Sequence, residues 1–147
     1  MISKTLYSSN TDEWETPQTV FNELDAVYHF DLDVCATEQN AKCKRFFDKA
    51  QDGLKKSWGG ATVWCNPPYS MVADWVRKAA EEQKNGTTTV MLVPSRTDTK
   101  WFHAYCYEKP DVEIKFIKGR LKFGRSKNNA PFPSMVLVFR GEKTEAD

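Results

Sequence analysis

The order of apolar patterns along the chain predicts an α/β fold with a mostly parallel central sheet. Segments with helical periodicity alternate with short β-branched or period-two segments, the arrangement typical of strands joined by helices. The run at 87–93 contains no charged residue, as expected for a strand covered on both faces. The chain has 147 residues, so we expect a single domain, 1–147, with a flexible N-terminus at 1–11 and a polar tail at 142–147.

The first half of the chain predicts one helix and two strands. Thr16 is a typical N-cap and Pro17 a typical first helical residue, so the first helix is expected at 17–28. Alternation at 30–35 predicts a strand ending near Ala36. The polar stretch from there to Ala61 is too short for a complete strand-helix-strand unit and allows at most an abbreviated one. A short buried strand follows at 62–65.

The second half predicts two helices and three strands. A helix at 71–84 ends at Asn85-Gly86, a typical helix terminus, and leads into the uncharged strand at 87–93. A second helix is expected at 98–107, followed by strands at 112–117 and 134–139. A basic segment, 118–133, joins the last two strands.

Composition limits the classes of function. The polar N-terminus and the absence of an apolar run of ~20 residues predict a soluble, cytoplasmic protein. The four cysteines show no C-x-x-C spacing, so buried free thiols are expected rather than a zinc site or disulfides. Neither of the two histidines lies in a nucleophile motif, which argues against hydrolase chemistry.

The stretch Asn66-Pro67-Pro68-Tyr69 follows a predicted strand at the edge where α/β sheets bind ligands. The prolines restrict the backbone, so the Asn66 side-chain oxygen and the Pro67 carbonyl form two fixed acceptors beside the Tyr69 ring. Two such acceptors suit the two protons of an exocyclic amine on a planar base. The alternative is a simple strand-ending turn, since Asn-Pro and Pro-Pro commonly end strands.

The distribution of charge is uneven although the net charge is +1. Between residues 114 and 141 there is no acidic residue but seven basic ones, a composition that suits a polyanion such as nucleic acid. The alternative is a solvated sheet edge that resists aggregation. The basic residues of this region are Lys115, Lys118, Arg120, Lys122, Arg125, Lys127 and Arg140.

Several segments together resemble the small Dam-type DNA adenine-N6 methyltransferases of phages and prophages. They are DEWETP, FDLDVCATEQNAKC, DGL, NPPYS, VPSRTDTKWFH, KGRLKFG and APFPS. The resemblance implies a reduced Rossmann-like class I methyltransferase fold with an antiparallel C-terminal strand. It also implies methyl transfer from S-adenosylmethionine to the amine of an adenine flipped out of double-stranded DNA, in a bacterial host cell and without a metal.

The resemblance assigns roles to individual residues. It implies that the catalytic residues are Asn66, Pro67, Pro68 and Tyr69, with adenine N6 bound by Asn66 and both proline carbonyls. The cofactor-binding residues that it implies are Trp14, Thr16, Pro17, Asp33, Cys35, Ala36, Asn40, Phe47, Asp52 and Asn66. The expected DNA-binding residues are Arg96, Lys118, Arg120, Lys122, Arg125 and Lys127.

Some alternatives stay open at this point. Asp33 is either a ligand contact at a strand end or an exposed polar residue of an alternating strand. The stretch DVCATEQN lacks the glycine-rich loop usual after the first strand of this fold. Rival functions are methylation of another amino group, in RNA or a protein glutamine, and a non-catalytic nucleic-acid-binding module. The target sequence and the oligomeric state are not determined.

Overall fold

The computed structural model describes residues 15–123 and 129–142. Its helices are α1 (Gln18–Tyr28), α2 (Val72–Glu82) and α3 (Lys100–Tyr105), and its strands are β1 (Leu32–Asp33), β2 (Thr62–Cys65), β3 (Thr88–Pro94), β4 (Val112–Phe116) and β5 (Ser134–Phe139). Short 3-10 turns lie at Gly53–Lys55, Tyr69–Met71 and Gln83–Asn85. The predicted flexible N-terminus and the polar tail beyond Glu142 lie outside the described residues. None of the described helices is long and apolar enough to cross a bilayer.

The strands form one five-stranded sheet in the order β1-β2-β3-β5-β4. The pairs β1-β2 and β2-β3 are parallel, whereas β5 is antiparallel to both of its neighbours. The C-terminal strand is therefore inserted between β3 and β4 and runs against the other four. This arrangement confirms the predicted reduced Rossmann-like fold with a mostly parallel sheet and an antiparallel C-terminal strand.

Helices cover the two faces of the sheet and give two apolar layers. On one face, Phe21 of α1 packs edge-on against Trp64 of β2, with ring centroids 5.4 Å apart, above Val90 and Leu92 of β3. On the other face, α2 and α3 pack on the remaining inward side chains of the strands. Burial of each large apolar side chain stabilises the fold by about 1.5–3 kcal/mol, so both layers hold the central strands in place.

The element boundaries show where local patterns predict well. Strands β2 and β5 have the predicted bounds, and α1 begins one residue later than expected. The prediction that Thr16 caps α1 is wrong, because Pro17 is the N-cap and no side chain bonds the first turn. Strand β1 contains only Leu32 and Asp33 rather than 30–35, and α3 covers Lys100–Tyr105 rather than 98–107, with Thr99 as its N-cap.

The long connection from β1 to β2 contains one 3-10 turn, in agreement with the predicted abbreviated unit. Its backbone returns beside β1, where Phe46 forms an isolated parallel bridge with Asp33. Trp58 is fully buried and donates from its indole to the Gly53 carbonyl at 2.9 Å and from its backbone to the Glu82 carboxylate at 2.8 Å. These bonds fix the connection against α2 and the carboxyl end of β1.

Candidate active site

The carboxyl ends of β1, β2 and β3 lie along one edge of the sheet, which we call the rim. It comprises residues 34–36, 66–69 and 95–96, which follow these three strands. The sequence placed the stretch 66–69 at this edge, and the parallel register of the strands brings all three stretches there. In open α/β sheets this edge is where ligands bind.

Thr16 fixes the orientation of Asn66 on the rim. The Nδ2 of Asn66 donates to the Thr16 hydroxyl at 2.8 Å, and Thr16 is only 4% exposed. A primary amide carries its donor and its acceptor on opposite branches of one planar group. With Nδ2 directed at Thr16, the Oδ1 of Asn66 is directed away from it. Thr16, the residue expected to cap α1, therefore positions the Asn66 amide instead.

The two prolines hold their carbonyls differently. Pro68 lies just before the 3-10 turn at Tyr69–Met71, and its carbonyl accepts from the Met71 backbone N–H at 2.9 Å. The Pro68 carbonyl therefore has a local donor. Within the described parts of the chain, the Pro67 carbonyl accepts no hydrogen bond. Pro67 is buried and lies two residues after the end of β2, so the strand holds its carbonyl oxygen in place.

Tyr69 lies under two aromatic side chains from the far end of the sequence. Phe132 meets the Tyr69 ring edge-on at 5.3 Å between centroids, and Phe123 does so at 6.3 Å. Edge-on contacts of this kind are favourable for aromatic rings. Burial raises the pKa of the Tyr69 phenol well above its ordinary range, so the hydroxyl stays protonated at neutral pH. Tyr69 therefore offers a ring surface rather than a base.

Asp33 is buried at the end of β1 and organises the chain beyond it. Its carboxylate accepts from the backbone N–H groups of Cys35 at 3.3 Å and of Lys42 at 3.0 Å. Only 3% of Asp33 is exposed, so its alternative assignment as an exposed strand residue is wrong. Burial raises its pKa to about 6 despite these bonds, which lower it. The side chain thus holds the loop 34–42 against the sheet.

The remaining predicted cofactor residues surround the end of β1. Cys35 and Ala36 follow the strand and are half-buried. The backbone of Phe47 lies beside them: its N–H donates to the Asp33 carbonyl, and its carbonyl accepts from the Ala36 N–H. The Asn40 side chain accepts from the backbone N–H of Thr37 at 2.7 Å, and that of Asp52 accepts from Leu54. Both of these polar groups are therefore occupied in shaping the loop. Trp14 lies outside the described residues.

Gly53 lies close to the backbone at the end of β1. The loop that directly follows β1 contains no glycine. A Cβ at this position would lie 2.2 Å from the Val34 carbonyl oxygen and 3.1 Å from the Trp75 ring. Only glycine allows the backbone this near to the end of β1. The segment DGL therefore packs directly against the end of β1.

The predicted basic segment forms two arms that continue the β4-β5 ladder beyond the rim. The Ile117 N–H donates to Ser134 at 3.2 Å, and the Ala130 N–H donates to Leu121 at 2.7 Å. We call residues 117–123 and 129–133 the basic arms. Lys118, Arg120 and Lys122 are exposed on them, whereas Arg125 and Lys127 lie outside the described residues. Because Phe123 and Phe132 contact Tyr69, the basic arms are anchored beside the stretch 66–69.

Residues 95–103 lie next to the basic arms. The Ser95 N–H donates to the Pro133 carbonyl at 2.9 Å, and the adjacent Arg96 is exposed. Trp101 is half-buried and packs against the core. His103 bonds the Thr97 carbonyl at 2.8 Å and contacts the Phe102 and Tyr107 rings, so its side chain is used for packing.

Two relationships in this site were missed by sequence reasoning. One is the bond from Asn66 to Thr16, which local cap statistics misassigned. The other is the cover of Tyr69 by Phe123 and Phe132. The sequence signal for the second is that Phe123 and Phe132 lie among the residues of the basic segment, which was interpreted either as a nucleic-acid contact or as a solvated edge.

An amide and a carbonyl held beside an aromatic ring, next to a basic surface, form the arrangement expected of an enzyme that modifies an amino group of a nucleic-acid base. The model of the family "DNA N-6-adenine-methyltransferase (Dam)" matches residues 3–146. The DNA N-6-adenine-methyltransferase of Haemophilus phage HP1 (strain HP1c1) is 32% identical over 148 residues, covering 95% of this chain and 84% of that protein. That of Escherichia phage T1 is 39% identical over 93 residues, covering 62% of this chain.

The chain belongs to the DNA N-6-adenine-methyltransferase (Dam) family. The predicted family, and with it the predicted class of enzyme, is confirmed. The chain spans 39% of the length of the phage T1 protein. A solved structure from Thermoplasma acidophilum, of a protein assigned as a methyltransferase, aligns with a TM-score of 0.40 and 12% identity over 78% of this chain and 59% of that one.

Proposed function

We propose that this chain transfers a methyl group from S-adenosylmethionine to N6 of an adenine that has rotated out of double-stranded DNA. The observation that carries the proposal is the Asn66 amide, held by Thr16 at 2.8 Å on the rim beside Pro67 and Tyr69. Enzymes that act on a base inside a duplex need it out of the stack, so a site at an open edge suits this reaction.

The acceptors orient the amine. The Asn66 Oδ1 and the Pro67 carbonyl would accept the two N6 protons, which directs the nitrogen lone pair out of the base plane. Fixed orientation of this kind can contribute as much as ~7–11 kcal/mol to a reaction. The carbonyl oxygens are not bases, so the proton that N6 loses as its bond to the methyl carbon forms passes to water. The Pro68 carbonyl already accepts from the Met71 N–H, so we propose Pro67 rather than Pro68 as the second acceptor.

Tyr69 would support the flipped base through its ring. A tyrosine phenol is neutral at physiological pH, and burial raises the pKa of Tyr69 further, so we assign its ring to stacking rather than its hydroxyl to proton transfer. Phe123 and Phe132 meet it edge-on and limit its movement. Stacking on an aromatic ring contributes about 1–3 kcal/mol per base.

S-adenosylmethionine, when bound, supplies a methyl group on a positively charged sulfur. The end of β1 fits an adenosyl group, because the half-buried Phe47 ring and the small side chains of Cys35 and Ala36 lie there together. The Asp33 carboxylate already accepts two backbone N–H groups, so we propose that it acts by holding this loop. Thr16 and Pro17 stand at the entry to α1, beside Asn66.

The basic arms would contact the DNA backbone. Lys118, Arg120 and Lys122 are exposed on the arms whose phenylalanines contact Tyr69, so phosphates bound there lie near the flipped base. Such contacts give salt-dependent affinity without sequence information. Arg96 follows β3 on the same rim and is exposed, so we propose it as a further phosphate contact.

The test is incubation with deuterium-labelled S-adenosylmethionine and separate DNA, RNA and protein acceptors, followed by mass spectrometry of the products. We expect label in N6-methyladenine from DNA alone. Label only in RNA or in protein glutamine would contradict the substrate, and a chain that does not bind the cofactor in calorimetry would contradict the reaction.

Asn66→Ala tests the amine site directly. We expect a rate reduced roughly 100-fold or more, the scale on which loss of one fixed hydrogen-bonding group acts in other enzymes, with cofactor binding retained. Asn22→Ala is the matched control, because Asn22 is exposed on α1 and bonds Gln18. Near-normal turnover of Asn66→Ala would contradict the mechanism.

A further inference from the structure

Strand β4 is an edge of the sheet. Among the described residues it pairs with β5 alone. Its side chains are only partly covered, in contrast to the wholly buried β5, and Phe116 is 67% exposed. An open edge that carries an exposed large apolar side chain is a ready template for another strand.

The direction of the peptide groups on this edge follows from the ladder with β5. Ile117 donates to Ser134, and Arg140 donates to Asp111. In an antiparallel pair, hydrogen-bonded residues alternate with residues whose peptide groups point away. Residues 111, 113, 115 and 117 are therefore directed at β5, and Val112, Ile114 and Phe116 direct their peptide groups outward. The Val112 N–H is engaged by Lys109, at 3.2 Å.

The sequence Val-Glu-Ile-Lys-Phe is complementary to itself about its centre. An antiparallel strand related by a two-fold axis at Ile114 would place Ile114 against itself and Val112 against Phe116, all with outward peptide groups. Glu113 would then face Lys115 on the opposite face of the sheet. Opposite charges and apolar pairs are the favourable cross-strand neighbours, and like charges there are destabilising.

We propose that β4 pairs with β4 of a second copy of this chain. Each Ile114 N–H would donate to Ile114 of the other copy, and each Phe116 N–H to Val112 of the other copy. The pairing covers Phe116 and joins two five-stranded sheets into one. Because the paired strands are antiparallel, the two rims lie at opposite edges of the joined sheet, so neither blocks the other.

The contact is small, since β4 has five residues. Stable interfaces bury about 1,200–2,000 Å², and a single strand pair falls below that range. The dimer is therefore weak and its population depends on protein concentration. Sedimentation velocity between about 1 and 200 µM should show a monomer-dimer equilibrium. A monomer throughout that range would overturn the proposal.

Charge reversal on the edge gives a sharper test. Glu113→Lys alone places lysine against lysine in a homodimer, and Lys115→Glu alone places glutamate against glutamate. Each variant should dimerise roughly tenfold more weakly than the natural chain. An equal mixture of the two restores both opposite-charge pairs, so association should return only on mixing. Thermal unfolding of each variant checks its fold, and a mixture no better than its components would overturn the proposal.

Two further variants separate this surface from a DNA contact. Ile114→Pro removes an outward N–H and none of the hydrogen bonds to β5, so it should abolish dimerisation; because Ile114 also packs against the core, its thermal unfolding is measured alongside. Phe116→Ser should weaken dimerisation, because it removes the apolar contact with Val112. If Phe116→Ser instead lowers DNA affinity and leaves self-association unchanged, the edge is part of the DNA surface and the proposal is wrong.

Discussion

Replacing Thr16 by valine tests whether a buried hydroxyl positions the catalytic amide. The Asn66 Nδ2 donates to Thr16 at 2.8 Å, and Thr16 is 4% exposed. Valine has nearly the same shape as threonine and lacks the hydroxyl. The variant therefore removes the acceptor and keeps most of the packing, and Asn66 loses the contact that directs its Oδ1.

The expected magnitude follows from the burial of this bond. Loss of one partner of a buried hydrogen bond costs about 1–3 kcal/mol, because the other partner is left without its acceptor. If the transition state loses this amount of stabilisation, kcat falls roughly 5- to 150-fold. The same loss of stability would lower the unfolding temperature. For a chain of this size the shift is about 4 °C for each kcal/mol lost.

Single-turnover methylation of a DNA duplex, with calorimetry for the cofactor, is the appropriate assay. Thr16→Ser retains the hydroxyl and should stay close to the natural rate. Thr19→Val is the matched control, since Thr19 is exposed on α1. If Thr16→Val raised the KM for the cofactor with kcat unchanged, Thr16 would be a cofactor contact and not a positioning residue. An unchanged kcat and KM would refute both roles.

Three further predictions concern the ring, the basic arms and the buried carboxylate. Tyr69→Ala should slow methylation roughly 5- to 150-fold through lost stacking, whereas Tyr69→Phe should stay near the natural rate; equal losses in both would assign the role to the hydroxyl. Lys122→Ala should reduce the slope of log affinity against log salt by about 0.9, and Lys84→Ala, exposed before the start of β3, should leave it unchanged. Asp33 has a pKa raised by burial from 3.8 to about 6, so its contribution to folding is present at low pH and is lost as pH rises through 6. The stability of the natural chain relative to Asp33→Asn, measured by urea unfolding, should therefore fall by up to roughly 3 kcal/mol between pH 4 and 7, and a pH-independent difference would show that the carboxyl is not buried as described.

Much of the fold was predictable because its signals are local. The spacing of apolar residues gave α1 within one residue, and the β-branched runs gave β2 and β5 with their observed bounds. Strand β1 was predicted too long, because the alternation at 30–35 says nothing about where a partner strand stops. Its length is decided by the returning segment at Phe46 and by the buried carboxylate of Asp33.

The sequence by itself determined the chemistry of the rim. Two consecutive prolines after a buried strand restrict the backbone whatever surrounds them, so the fixed carbonyl of Pro67 and the place of Asn66 and Tyr69 follow from residue type and order. Only the tertiary structure decided that Thr16 holds the Asn66 amide, that Phe123 and Phe132 cover Tyr69, and that Met71 occupies the Pro68 carbonyl. The first two are contacts between residues far apart in the chain, and the third is a turn whose bond local statistics do not specify. Such contacts depend on how the helices and the basic arms pack against the sheet, which no local pattern encodes.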